Sequence, residues 1–229
     1  MDVGKPKAAH SWGELINEIG VIVLGVLIAL AASQGVELLR WRQQVNAARE
    51  AIRGELLDDA ANAFQHRAIF KCNSQALDQL RLGLLKSGPA WKGRPVRYAA
   101  LNFAWSDSAW RTAETSGALA HMPADEVGGF ARAYQVVPAI ADLEARGQDD
   151  AADIDLLAYD QSLTDGARGR ALAAIGRAER RNVLLAQATR QFLNQSALIG
   201  VSLPDGQKQK LQARIGGEGD DCSAPPKGD

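Results

Sequence analysis

The chain has 229 residues, a formal net charge of −1 and two cysteines. A balance so close to neutral leaves no electrostatic footprint for nucleic acid or for an acidic substrate. Alanine is abundant, while β-branched and aromatic residues are scarce outside one N-terminal stretch, which disfavours a sheet-rich fold and favours helix.

Residues 1–11 read as a polar leader. Residues 12–41 read as a transmembrane anchor with its interfacial flanks. Within it, Ile19 to Val36 carries no charge and is bracketed by Glu18 and Glu37. As a helix this run spans roughly 27 Å, close to the hydrocarbon thickness of a bilayer. Trp12 and Trp41 would lie some 43 Å apart along such a helix, each at a membrane interface. A cleaved signal peptide is the rival reading, with Lys5 and Lys7 as its basic region and Ala29-Leu30-Ala31 as its cleavage motif. Glu14 and Glu18 fit that reading poorly, and the helical pattern continues past Ala31. Gly25, Ala29 and Ser33 form a small-x-x-x-small face, a candidate surface for helix association and homo-oligomerisation in lipid. The positive-inside rule, applied to Arg40, Arg42, Arg49 and Arg53, would keep the following domain in the cytoplasm. The short basic leader instead resembles a signal anchor, and Glu37 and Glu50 dilute the arginines, so the expected location is the bacterial inner membrane with a periplasmic domain.

Residues 42–215 read as a helical bundle. From Leu38 the apolar positions keep a three-to-four spacing, and no proline interrupts before Pro89, so a first helix of some seventy residues is expected to end at Gly88-Pro89. Lys92 to Pro95 then forms a loop. Further helices are expected over Arg97–Leu119 (with Ser106 or Asp107 as an internal cap), from Met122-Pro123 to about Ala145 with a kink at Pro138, over Ala151–Leu163 after a turn at Gly147–Asp150, and from Ala167 to about Ile199. A short amphipathic turn surrounds Leu211, and residues 216–229 form a Gly/Asp/Pro-rich tail. The expected fold is all-α: one N-terminal transmembrane helix that continues into a long helix of an antiparallel helical bundle.

Glu14-x-x-x-Glu18 before Val23-Leu24-Gly25-Val26-Leu27-Ile28-Ala29-Leu30, then Glu37-x-x-x-Trp41-Arg42, resembles the start of an uncharacterised bacterial family with one N-terminal transmembrane helix and a helical domain. Trp110-x-x-Ala113-x-x-x-Gly117, Met122-Pro123 and Tyr134 resemble that family's middle segment. The resemblance implies architecture and no activity.

No catalytic, cofactor or metal motif stands out. His66 lacks a partner one turn away and reads as a surface residue; His121 reads as a helix-terminal one. Asp58-Asp59 and Asp149-Asp150 lack calcium-loop spacing and read as solvated face and cap. Arg168, Arg170, Arg177, Arg180 and Arg181 read as a solvated helix face, or as a contact for anionic headgroups. Tyr98, Phe103, Trp105 and Trp110 are the candidate pocket, with core packing as the alternative. Trp110, Ala113 and Gly117 share one expected helix face, open to a close neighbour. Cys72 and Cys222, the two cysteines, are expected to form a disulfide in an oxidising compartment. The function expected is therefore a membrane-anchored interaction or scaffold module of the bacterial cell envelope. It is not an enzyme, uses no cofactor, and has membrane lipid, a second copy or an envelope protein as partners. The alternative is an extracytoplasmic ligand-sensing bundle with an aromatic pocket, needing a partner for output.

Overall fold

A computed structural model describes residues 12–87, 90–93, 95–159, 161–215 and Cys222. The polar leader, the Gly88-Pro89 stop and, Cys222 apart, the tail 216–229 lie outside the described residues. The fold is all-α. The chain divides between Ala47 and Ala48 into two units.

The first unit is helical wherever it is described, as the opening part of α1 (Trp12–Ser87). With no proline in its 76 residues, nothing removes a backbone donor and the helix runs uninterrupted. All side chains described from Ile16 to Arg40 are exposed. An 18-residue window in this helix reaches a mean hydropathy of 2.3 with none of it buried, so α1 is long and apolar enough to cross a membrane. Gly25, Ala29 and Ser33 lie on this exposed part, and Ser33 Oγ donates to the carbonyl of Leu30 at 2.8 Å.

The second unit is a bundle of three rods. The first is α1 from Ala48 onward. The second is α3 (Ala124–Tyr134) followed by α4 (Val137–Asp155), and the third is α5 (Asp165–Leu198). Arg49 reaches Glu126, Tyr134 reaches Glu55 and His66 reaches Glu144, so α1 runs parallel to the α3–α4 rod. Asn182 bonds Phe70 and Ser74, while Arg53 lies near Gly200, so α5 runs antiparallel to α1. Leu77, Leu80 and Leu84 pack with Ile154, Leu157 and Ile175 at one end of the core. A Cβ on Gly129 would collide with Ile199 Cγ2, so glycine there permits the close approach of α3 to the end of α5.

Five expected elements differ from those observed. Residues 95–107 are not helical, and only α2 (Ser108–Thr115) forms within the expected Arg97–Leu119 helix. Gly117 follows α2 with φ 77°, a left-handed residue that stops the helix, so it shares no helix face with Trp110 and Ala113. A 3₁₀ turn (Ala118–His121) follows, with His121 in its last turn. Pro138 divides α3 from α4 where a kink was expected, because its missing N–H suits the first turn of a new helix. Gly147–Asp150 is continuous helix within α4, and the expected Ala151–Leu163 helix gives way after Asp155 to a 3₁₀ turn (Leu156–Ala158) and β2 (Gln161–Ser162). β2 pairs antiparallel with β1 (Ala90–Trp91), and Trp91 Nε1 donates to the Leu157 carbonyl at 2.8 Å. Thr164 caps α5 by accepting the Ala167 N–H at 3.2 Å. The amphipathic turn around Leu211 is a full helix, α6 (Asp205–Ile215).

Cys72 on α1 and Cys222 are joined as a disulfide, with Cα atoms 5.1 Å apart. Arg97 donates to the Cys222 carbonyl at 3.3 Å. Closing a loop of this size stabilises the fold by limiting the unfolded chain, typically by about 2–4 kcal/mol. Cys72→Ser and Cys222→Ser are each expected to lower unfolding free energy by that amount and to the same extent, as read from denaturant curves. Unreduced, denatured wild-type protein should titrate with no free thiol.

Candidate functional site

Residues 95–107 form an extended strap laid along the bundle, and polar side chains hold it at every few residues. The strap's backbone would need its own i→i+4 bonds to be helical; those groups are taken instead by α1 and α4. Asn73 Nδ2 donates to the Ala99 carbonyl at 2.9 Å and Asn73 Oδ1 accepts the Ala99 N–H at 3.0 Å. Gln148 donates to the Ala100 carbonyl at 3.0 Å. Glu144 Oε2 accepts the Phe103 N–H at 2.8 Å, while its Oε1 pairs with His66 Nε2. Asp59 accepts the Ser106 N–H.

Asp59, His66 and Asn73 repeat every seventh residue along the buried stripe of α1, at 2%, 6% and 5% exposure. The spacing has a mechanical reason. Seven helical residues rise about 10.5 Å, and three or four extended residues cover about 10–13 Å. Ala99, Phe103 and Ser106 therefore meet successive rungs.

Aromatic rings close over the middle rung. The Trp105 ring stacks on His66 at 6.4 Å between centroids, and Phe103 meets the same imidazole edge-on at 5.4 Å. Trp105 also meets Phe192 of α5 edge-on at 6.0 Å. The four candidate pocket residues thus separate. Phe103 and Trp105 share the His66 rung, Trp110 packs on Tyr134 at 5.7 Å, and Tyr98 lies against the Leu77–Ile175 core. Burial raises the Tyr98 phenol, with Arg181 opposing and Asp150 adding to the rise.

At the end of the strap Glu55 gathers four donors. Ser106 and Ser108 hydroxyls each donate at 2.6 Å, Tyr134 at 2.7 Å, and the Ala109 N–H at 3.1 Å. Burial pushes this carboxyl up, but the donors together outweigh it and hold Glu55 below the usual range. Glu55 so caps α2 from another helix and adds to the expected cap within the segment: the Ser106 hydroxyl accepts the Ser108 N–H at 3.2 Å, while Asp107 makes no side-chain cap bond. Tyr134 is raised by burial first and then by its bond to Glu55, so its phenol stays a neutral donor.

Asp59 stands one turn further along α1. Burial, opposed by the Ser106 N–H and reinforced by Glu55, Asp58 and Asp107, raises its carboxyl to about 7. Its Oδ2 has no hydrogen-bond partner among the described residues. The expectation of a solvated Asp58-Asp59 pair is therefore corrected: Asp58 is exposed and Asp59 is core. His66, expected at the surface, is likewise buried, because the apolar stripe of α1 passes through it.

The second acidic pair splits in the same manner. Asp149 is exposed, whereas Asp150 is 2% exposed and is clamped by Arg177, at 2.7 Å, and by Arg181 of α5. The two arginines expected to face solvent thus hold α4 to α5. Arg168 pairs with Asp165 at 3.1 Å. Arg49 grips Glu126 with two bonds of 2.5 and 2.7 Å, and this bond is the main cause of the lowered Glu126 carboxyl. Among the described residues no group of three His, Cys, Asp or Glu side chains is placed to hold a metal ion.

Asp59 sets a sign for pH dependence. Its folded carboxyl keeps its proton up to about 7, whereas an unfolded aspartate loses it near 4, so the native state binds the extra proton between those values. Stability should therefore fall as pH rises through that window. Asp59→Asn is expected to be more stable than wild type, by an amount near zero around pH 3, growing to at most about 4 kcal/mol above pH 7 and flat beyond. Thermal melts across pH 3–9 check this. No family model, curated protein or solved structure matches this chain.

Proposed function

We propose that the protein is a membrane-anchored helical interaction or scaffold module of the bacterial cell envelope. In this reading Ile19 to Val36 crosses the inner membrane once, and residues 42–215 lie on the periplasmic side. The observation that carries it is the apolar window of α1, exposed along its whole length. Apolar surface in water costs about 25 cal/mol per Å², so a stretch this long calls for lipid around it. Trp12 and Trp41 at its two ends suit the two interfaces. The Cys72–Cys222 bridge supports an oxidising compartment and hence export.

Absence of catalysis is part of the reading. The groups with chemical capacity, Glu55, His66, Glu144 and Tyr134, are each engaged in holding the strap or capping α2. The separation of Phe103 and Trp105 from Trp110 and Tyr98 weighs against a single aromatic ligand pocket, and so against the sensing alternative.

Crosslinking in intact membranes, followed by mass spectrometry, tests the proposal. The expected result is a recurrent envelope protein partner whose capture is lost when residues 42–215 are deleted. Full-length protein should resist alkaline extraction from membranes, and a C-terminal alkaline phosphatase fusion should be active. A soluble mature chain beginning at Ala32 would overturn the anchor. If copies associate through Gly25, Ala29 and Ser33, Gly25→Leu should reduce the crosslinked dimer at least several-fold.

A further inference from the structure

Where the apolar run of α1 ends, one side of the helix carries an acid, a base and an indole together. Ser33, Val36, Glu37, Arg40 and Trp41 line one concave patch, all of it within the first unit. Glu37 and Arg40 are exposed, and Trp41 is half-buried. Among the described residues neither Glu37 nor Arg40 is paired, with the other or with any further side chain. Ser33 brings no donor to the patch, since its hydroxyl donates to the Leu30 carbonyl. A three-residue step from Glu37 to Arg40 keeps both on one side of the helix, about 4.5 Å apart along its axis. Helical side chains lean toward the N-terminal end, so the longer Arg40 side chain reaches back to the depth of Glu37.

The inference rests on the reading of Ile19 to Val36 as a membrane span, which sets this patch at the level of the lipid headgroups. We propose that the patch holds the zwitterionic headgroup of an aminophospholipid, with its phosphate on Arg40 and its primary ammonium on Glu37. Charge complementarity selects that occupant. The phosphate and ammonium of such a headgroup are joined by a two-carbon link and lie along the membrane surface, so they meet a base and an acid held at one depth. A guanidinium binds phosphate through parallel N–H bonds, and an ammonium brings three N–H donors to a carboxylate. A glycerol headgroup supplies the phosphate but no cation, and leaves Glu37 beside an anion. A choline headgroup carries the cation but has no N–H to donate. Leaving Glu37 and Arg40 unpaired with each other costs little, because an exposed pair three residues apart contributes little in water. Trp41 completes the patch with a ring suited to the boundary between headgroup and acyl chain.

Native mass spectrometry of the full-length protein tests the proposal, after lipid is stripped in detergent and three lipids with the same acyl chains are offered in equal amounts. These are phosphatidylethanolamine, phosphatidylglycerol and phosphatidylcholine. Phosphatidylethanolamine should be retained over each of the others by about threefold or more, the scale of one partly exposed charge pair. Glu37→Gln should bring its retention no higher than that of phosphatidylglycerol. Arg40→Gln should lower retention of both. Arg42→Gln, which removes an exposed cation outside the patch, should keep the wild-type preference. Equal retention of the three lipids by wild type, or a preference for phosphatidylglycerol, would overturn the proposal. So would a wild-type preference that survives in both Glu37→Gln and Arg40→Gln, or a second copy bound in place of lipid, seen as a lipid-free dimer. Alkaline extraction of the same proteins from membranes keeps the two readings apart. Protein that resists extraction yet shows no lipid preference overturns the headgroup site alone, whereas release by alkali overturns the span and the site with it.

Discussion

The structure depends on the match between a seven-residue polar repeat on α1 and an extended segment that runs beside it. Asn73, His66 with Glu144, and Asp59 take the backbone groups of Ala99, Phe103 and Ser106 in turn. Backbone donors and acceptors in a bundle interior must be satisfied, and a segment that forgoes helix must find its partners elsewhere. These rungs provide them. The strap in turn brings Glu55 to the start of α2, and Tyr134 on the same carboxylate ties in the end of α3. Removing one rung would leave buried polar groups on both sides, a cost larger than the bond itself.

Charge is used inside this bundle more than its surface suggests. Asp150 under two arginines and Glu126 under Arg49 join pairs of rods with charge-assisted bonds. Each is a paired anion with its donors supplied. Asp59 is the exception, an acid with an orphaned oxygen among other acids. The contrast separates groups that fasten the bundle from one that strains it.

Much of the architecture was legible from residues alone. The length of α1 follows from the absence of proline between Trp12 and Pro89, and α5 follows from an unbroken helical run from Ala167 to about Ile199. Two cysteines leave one intramolecular pairing. The strap was not legible, because Leu101, Phe103, Ala104 and Trp105 read locally as helix, and the side chains that overrule that preference lie some 26 to 48 positions away. Taken as a lone ligand, His66 reads as a surface residue. Set beside Asp59 and Asn73, its seven-residue spacing on an apolar stripe is the signal that would have placed it inside. The arginines of α5 were read as a surface since Asp150 belongs to another helix, and a single sequence does not say which acid meets which base.

The covalent link between Cys72 and Cys222 encloses α2 through α6 in a ring, with the apolar part of α1 outside it. A ring tolerates a single cut. If a protease severs the strap or any connection between the later helices, both fragments stay attached to α1 and to whatever surrounds its first half. Shedding the bundle therefore takes either two cuts, or one cut and a reductant, unless the chain is cut before Cys72. The segment between the apolar stretch and Cys72 is thus the one place where a lone cleavage separates the bundle from that stretch.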